Sequence, residues 1–159
     1  MIGKGKIPCD VLFLGEAPGA GENTLGQPFV GPAGHLLDQI VGKALGGKVL
    51  RMAYANVIGC IPIDEEGDKV GGEDIPDREY KRCHQRVEEF VYLVKPKLIV
   101  LVGKNAAKWG RVGPAIWKPR KYVEVRHPAF LLRAPEVSRG LECQSVEITL
   151  AEVFSELFS

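Results

Sequence analysis

Apolar residues along this chain fall into two kinds of run, and their spacing predicts a layered domain. Near-continuous apolar stretches at DVLFLG (10–15), KLIVLVG (97–103) and KYVEVR (121–126), with a weaker one at RMAYANVIG (51–59), read as strands buried on both faces. Between them the apolar positions return at helical spacing. In AGHLLDQIVGKAL (33–45), Leu36, Leu37, Ile40, Val41 and Ala44 form one stripe. In DREYKRCHQRVEEFVYLV (77–94), Tyr80, Cys83, Val87, Phe90, Val91 and Val94 do the same, and Pro96 stops the helix. NAAKW reads as a short helix, and SVEITLAEVFSELF (145–158) repeats Val146, Leu150, Val153, Phe154 and Leu157 on a helical face. Strand–helix alternation predicts an α/β fold in a single domain over residues 1–159. Its form is a three-layer α/β/α sandwich around a mostly parallel four-stranded central sheet. Ligands of such sheets gather beyond the carboxyl ends of the strands. That points to the turn after Leu14, the region Asn56–Cys60, the turn after Val102 and the residues after Arg126.

Composition narrows the class. With 159 residues and 45% hydrophobic content the chain can bury a sizeable core, and no run approaches the ~18 apolar residues of a membrane span. The start, MIGKGKIPCD, carries charge without an apolar segment, so no secretory signal is expected and the chain reads as cytoplasmic. Cys9, Cys60, Cys83 and Cys143 contain no C-x-x-C pair and read as reduced thiols.

Net charge is only +1, but its distribution is uneven. Between Lys104 and Arg133 lie eight Lys or Arg residues against the single acid Glu124, interleaved with Trp109, Trp117, Tyr122 and Phe130. This is the pattern of a polyanion-binding face or of a solvated basic surface, and charge alone does not decide between them. The segment DEEGDKVGGEDIPD (64–77) holds seven acids without the ligand order of a calcium loop, and reads as a mobile solvated loop.

The glycine-rich stretch GEAPGAGENTLGQPFVGPAGHLL (15–37) follows the first strand, where a phosphate cradle is the usual reading. Two carboxylates, Glu16 and Glu22, and the bulky Phe29 argue against one, and the glycine spacing is wrong for a dinucleotide turn. Asn56 stands in an apolar strand, where Asn is unfavourable without a purpose. HPAFLLR (127–133) places a His at a strand end, followed by apolar residues between Arg126 and Arg133. Such residues either wedge into stacked bases or pack inward as the start of a helix.

In order and spacing, GEAPGAGENTLGQPFVGPAGHLL, ANVIGC, CHQRVEEFVYLVKPKLIVLVG and HPAFLLR resemble the uracil-DNA glycosylase superfamily, closest to its family 4, the iron–sulfur type. The resemblance spans roughly residues 10–133. It implies a hydrolase that cleaves the N-glycosidic bond of uracil in DNA, releasing free uracil and leaving an abasic site. In that scheme Gly15 and Ala17 belong to the floor and wall of a base pocket, Phe29 stacks on the flipped base, and Asn56 pairs with the uracil edge. His127 donates to O2 of the departing base, and Glu16 and Glu22 lie near the sugar cation and the attacking water. Phe130, Leu131 and Leu132 enter the vacated stack, with Arg133, Arg126, Lys121 and the other cations of the basic segment on the phosphates. The implied partner is uracil-containing DNA, single- or double-stranded, bound by a monomer without membrane association.

The same resemblance implies a 4Fe–4S cluster on four cysteines, two of them a close pair ahead of the first strand. Cys60 and Cys83 fall in register with the other two ligands, but only Cys9 stands in the N-terminal segment. Two thiolates do not hold a cubane. No cofactor or metal is therefore expected, the alternative being a cluster that involves Cys60 and Cys83. Other readings are a glycosylase for hydroxymethyluracil, hypoxanthine or xanthine, and a non-catalytic protein that binds damaged DNA.

Overall fold

The computed structural model describes residues 3–159. The strands are β1 (Lys4–Gly5), β2 (Val11–Gly15), β3 (Met52–Asn56), β4 (Leu98–Val102) and β5 (Lys121–Val125). The helices are α1 (Ala20–Leu25), α2 (Pro32–Leu45), α3 (Asp77–Val94), α4 (Lys104–Trp109), α5 (Pro128–Arg133) and α6 (Glu136–Phe158). A single 3-10 turn among the described residues covers Gly72–Asp74. The sheet order is β1-β3-β2-β4-β5. The four strands expected from sequence run parallel, and β1 adds a fifth, antiparallel on β3 with Lys4 opposite Tyr54. Two residues of mixed polarity carry no periodicity, which is why β1 does not show in the hydrophobic pattern.

Alternation within each strand divides the core. Leu12, Leu14, Ile99 and Leu101 face the layer of α3 and α4, where they meet Val87, Val91 and Ala106. Val11, Phe13, Leu98, Val100 and Val102 face α2, α5 and α6, where they meet Leu37, Leu131 and Phe154. Burial on both faces is the reason these strands are apolar at every position. Among the described residues no helix is long and apolar enough to cross a membrane.

Three further elements settle or correct the sequence expectation. Residues 128–133 form helix α5, the inward-packing alternative, so Leu131 is fully buried while Phe130 and Leu132 are 45% and 37% exposed. Leu131 is a core residue and is removed from the expected DNA wedge. Helix α6 begins at Glu136, nine residues before the apolar repeat, because its first turns are largely polar and lie outside the core. The acidic segment 64–77 is tied down rather than free. Ile63 bridges Lys69, the Asp64 carboxylate accepts from the N–H groups of Glu66 and Asp68, and Ile75 is buried.

Candidate active site

The carboxyl ends of the parallel strands bring together Asn56 on β3, Gly15 and Glu16 at the end of β2, Gly103 after β4 and His127 after β5. Gly15 pairs with Asn56 across the β2–β3 ladder, and the missing side chain of Gly15 is what lets two others meet. A Cβ there would lie 2.5 Å from Asn56 Oδ1 and 2.7 Å from Phe29 Cζ. Asn56 is 4% exposed, and its Nδ2 has no hydrogen-bond partner among the described residues. An unmade bond on a buried amide costs about 1–3 kcal/mol, so the amide is set for an acceptor that the described residues do not supply.

Phe29 is held in an unusual conformation. Its φ is +57°, in the left-handed region that a bulky residue enters only under constraint. The constraint comes from Glu22, whose Oε1 accepts from the Phe29 N–H at 2.7 Å and whose Oε2 accepts from the Gly19 N–H at 2.5 Å. One carboxylate thus closes the start of α1 and fixes the ring. Phe29 in turn contacts Tyr54, 5.8 Å between ring centroids.

Glu16 is engaged from the other side. Its Oε1 accepts from the Gly72 N–H at 3.0 Å, and its Oε2 accepts from Asn105 Nδ2 at 2.6 Å. Asn105 also reaches the Gly72 carbonyl at 3.3 Å, so the acidic segment docks on Glu16 through the amide at the start of α4. Beside this contact is a cavity of about 360 Å³ lined by Tyr80, Lys104, Asn105, Lys108 and Trp109 among others. Neither Gly72 nor Asn105 stands out in the sequence, since an Asn in a short helix and a Gly in an acidic loop are ordinary there.

His127 caps α5. Its Nδ1 accepts from the Ala129 N–H at 3.0 Å, so the neutral ring carries its proton on Nε2. Burial pushes its pKa below the ordinary value. The negative charges of Glu16 and Glu22 oppose that shift, and Arg133 adds to it. Both carboxylates are thus within electrostatic range of the imidazole. Gly103, at φ +92°, lies directly beneath the imidazole: a Cβ there would come within 3.1 Å of His127 Cβ.

The positions assigned to DNA contact divide. Arg126 stacks on Phe130, 4.9 Å from the ring centroid, and pairs with Glu142 at 3.5 Å. Arg133 shares α5 with the exposed Phe130 and Leu132 at the carboxyl end of the sheet. Lys121 is elsewhere. It starts β5 at the amino end and pairs with Glu156 at 2.9 Å. Trp117 Nε1 donates to the Pro96 carbonyl and the Arg120 N–H to the Lys97 carbonyl, so residues 117–121 lie a full strand length from Asn56 and His127. Ala17 follows Glu16 and packs on the α3–α4 core.

The cysteines do not converge. The Cys9 N–H donates to the Val94 carbonyl at the far end of α3, eleven residues beyond Cys83. At 1.5 Å per residue that is about 16 Å. Cys143 packs in the opposite layer, with α6. Among the described residues no three His, Cys, Asp or Glu side chains gather into a metal-binding group. This chain's cysteines therefore do not fit a four-thiolate cluster.

The family described as "Uracil DNA glycosylase superfamily" matches residues 2–151, a span that includes this strand-end row of amide, carboxylate and imidazole. The chain belongs to that superfamily. Among its relatives, a type-4 uracil-DNA glycosylase of Sulfurisphaera tokodaii is 30% identical over 158 residues, covering 88% of this chain and 69% of the relative. One of Archaeoglobus fulgidus is 27% identical over 88% of this chain and 75% of its own length. One of Pyrobaculum aerophilum is 31% identical over 84% and 73%. Every strand-end position described above lies inside the span of the superfamily match.

Proposed function

We propose that this protein is a monofunctional uracil-DNA glycosylase, cleaving the C1′–N1 bond of deoxyuridine in DNA with water. The observation that carries the reading is the buried Asn56 amide, unpartnered at Nδ2 and set against the Phe29 ring above Gly15. A flat ring stacked on Phe29 would present a carbonyl to Nδ2 and an N–H to Oδ1, which is the edge of uracil and the reverse of cytosine's. Relatives carrying the name type-4 uracil-DNA glycosylase support the same substrate.

The chemistry follows from charge. As the bond breaks, its electron pair leaves with the base, and the sugar becomes cation-like. The Nε2–H of neutral His127 donates to O2, where that negative charge collects. Burial keeps the imidazole neutral, so Nδ1 continues to accept from Ala129 while Nε2 holds the one proton it donates. Glu16 retains lone pairs beyond those taken by Gly72 and Asn105. It orients the water that adds to C1′, and its charge stabilises the sugar cation. Glu22 acts through Phe29, as a positioning residue. Phe130 and Leu132 fill the gap left by the extruded nucleotide, and Arg126 and Arg133 meet the flanking phosphates. No lysine amine belongs to this set of groups, so the product is an intact abasic strand.

The test is an oligonucleotide carrying one uracil, incubated with the protein and then treated with alkali. Cleavage at the uracil in single- or double-stranded substrate is expected, and an uncut strand in both overturns the proposal. The same panel with hydroxymethyluracil, hypoxanthine and xanthine reads the base preference.

A further inference from the structure

Behind the base pocket, the position where the family resemblance puts two cluster ligands is organised around an arginine. Arg86 lies one turn beyond Cys83 on α3, so the two share a face. Its guanidinium Nη2 donates to the backbone carbonyl of Asn56. The same guanidinium lies within electrostatic range of Cys83 and Cys60. Cys60 is four residues beyond Asn56, on the segment leaving β3. The Arg86 side chain is half-buried.

We infer that Arg86 is a positioning residue for base recognition, bracing Asn56 from α3 at the place where Cys60 and Cys83 alone cannot assemble a cluster. The inference rests on the reading of Asn56 as the group that contacts the base edge. Three features carry it. First, a guanidinium is a rigid fork of five donors, able to hold a carbonyl beside a thiol, which a lysine's point charge does less well. Second, a charge-assisted bond to a buried residue's carbonyl is among the stronger ones a side chain makes, and it fixes the residue whose own amide has an open donor. Third, the brace spans two layers. It joins α3, packed on the sheet through Val87 and Val91, to the carboxyl end of β3. Rigid support from a regular element is what holds a recognition group to the fraction of an ångström that pairing needs.

The experiment compares Arg86→Met, Arg86→Lys and Asn56→Ala with the parent protein, by single-turnover uracil excision, thermal unfolding, and the side-chain amide resonances of 15N-labelled protein. Arg86→Met should lower kcat/KM about 10- to 100-fold. It should also move the Asn56 amide resonances in the free protein. Arg86→Lys, which keeps one charged donor, should recover at least half of the loss on a logarithmic scale. Unmoved Asn56 resonances in Arg86→Met overturn the brace. A fall in melting temperature with unchanged kcat/KM also overturns it, and assigns Arg86 to stability alone. If Asn56→Ala excises uracil as well as the parent, the base-reading role fails, while the resonances still report whether Arg86 fixes Asn56. The cysteines supply the remaining arm. Cys60→Ser with Cys83→Ser should stay within about threefold of the parent. Iron and sulfide reconstitution that yields a visible-absorbing cluster, lost in that double variant, overturns the inference.

Discussion

Gly15 and Asn56 face each other across the β2–β3 ladder, and a methyl group on Gly15 would lie 2.5 Å from Asn56 Oδ1. The same methyl would meet the Phe29 ring at 2.7 Å. Neither neighbour is free to withdraw, because Asn56 is fixed by Arg86 and Phe29 by Glu22. Gly15→Ala should therefore cost about 1–3 kcal/mol in unfolding free energy, as overpacking does. Its effect on excision should be about 100-fold, since a recognition group displaced by an ångström loses its alignment. Denaturant unfolding and single-turnover excision measured on the same sample separate the two.

Replacing Asn56 with Asp changes one amide nitrogen for an oxygen in the same shape. The unpartnered donor at Nδ2 becomes an acceptor. Uracil's O4 then meets a carboxylate oxygen, whereas cytosine's amino group meets an acceptor it can use. Uracil excision should fall by about 10- to 100-fold, one misplaced polar group in a buried site. Cytosine excision should become measurable. A panel of otherwise identical oligonucleotides with a single cytosine or uracil checks it.

These positions show how much of the site is legible in the chain. The strands and the long helices follow from apolar runs and helical stripes because both sheet faces are covered, and that same pattern puts Gly15, Asn56, Gly103 and His127 at one end of the sheet. Asn56 is visible as a polar residue inside an apolar strand. What periodicity does not carry is the long-range hydrogen bond. Gly72 and Asn105 meet Glu16 across 56 and 89 residues of sequence, and Arg86 reaches back 30 residues to Asn56. The basic segment misleads for a related reason. Residues contiguous in sequence suggest one face, yet β5 runs the length of the sheet and carries Lys121 and Arg126 to opposite ends. Leu131 groups with its exposed neighbours in the sequence because a six-residue helix is too short to show an apolar stripe.

His127 gives the pH dependence a definite sign. Its pKa is lowered below the ordinary 6.5, first by burial. The folded protein therefore keeps a neutral ring at a pH where the unfolded chain has begun to bind a proton. As pH falls through about 6.5 the unfolded state takes up that proton first, so stability falls with pH until the folded value is passed, and then levels off. Excision behaves likewise: its acid limb should lie below 6.5 and should be absent in His127→Asn. Arg133 helps to depress this pKa, so Arg133→Gln should move the limb to higher pH. The pH profile of kcat for the three proteins checks each statement. His127→Asn should also lower kcat by about 100- to 1,000-fold, the usual effect of removing a donor to developing charge.

Glu22 and Glu16 predict different kinetic faults. Glu22 spends both oxygens on backbone N–H groups, one of them at the strained Phe29. Without that carboxylate the left-handed conformation, costing about 1–3 kcal/mol, is no longer imposed. Glu22→Ala should thus lower thermal stability and raise KM as the ring leaves its place. Glu16→Gln keeps the side chain's shape but loses the charge proposed to stabilise the sugar cation. Its fault should lie in kcat, with KM nearly unchanged. Steady-state kinetics on one substrate, with melting curves for both variants, distinguish a positioning carboxylate from a reacting one.

The separation of the basic residues along β5 predicts which cations serve the reaction. Arg133 lies at the carboxyl end with Phe130 and Leu132, whereas Lys118 and Arg120 lie at the amino end, where Trp117 is tied to Pro96. A phosphate contact contributes about 0.7–0.9 to the slope of log affinity against log salt, depending on whether the DNA is single- or double-stranded. Arg133→Gln should reduce that slope by about this amount and weaken binding of a short uracil-containing oligonucleotide. The double variant Lys118→Gln with Arg120→Gln should leave both unchanged on the same short substrate, since a strand seated over Asn56 and His127 does not reach the other end of the sheet. Fluorescence anisotropy over a salt series reads both. A slope lowered equally by the two variants would mean that DNA wraps the molecule from one end of β5 to the other.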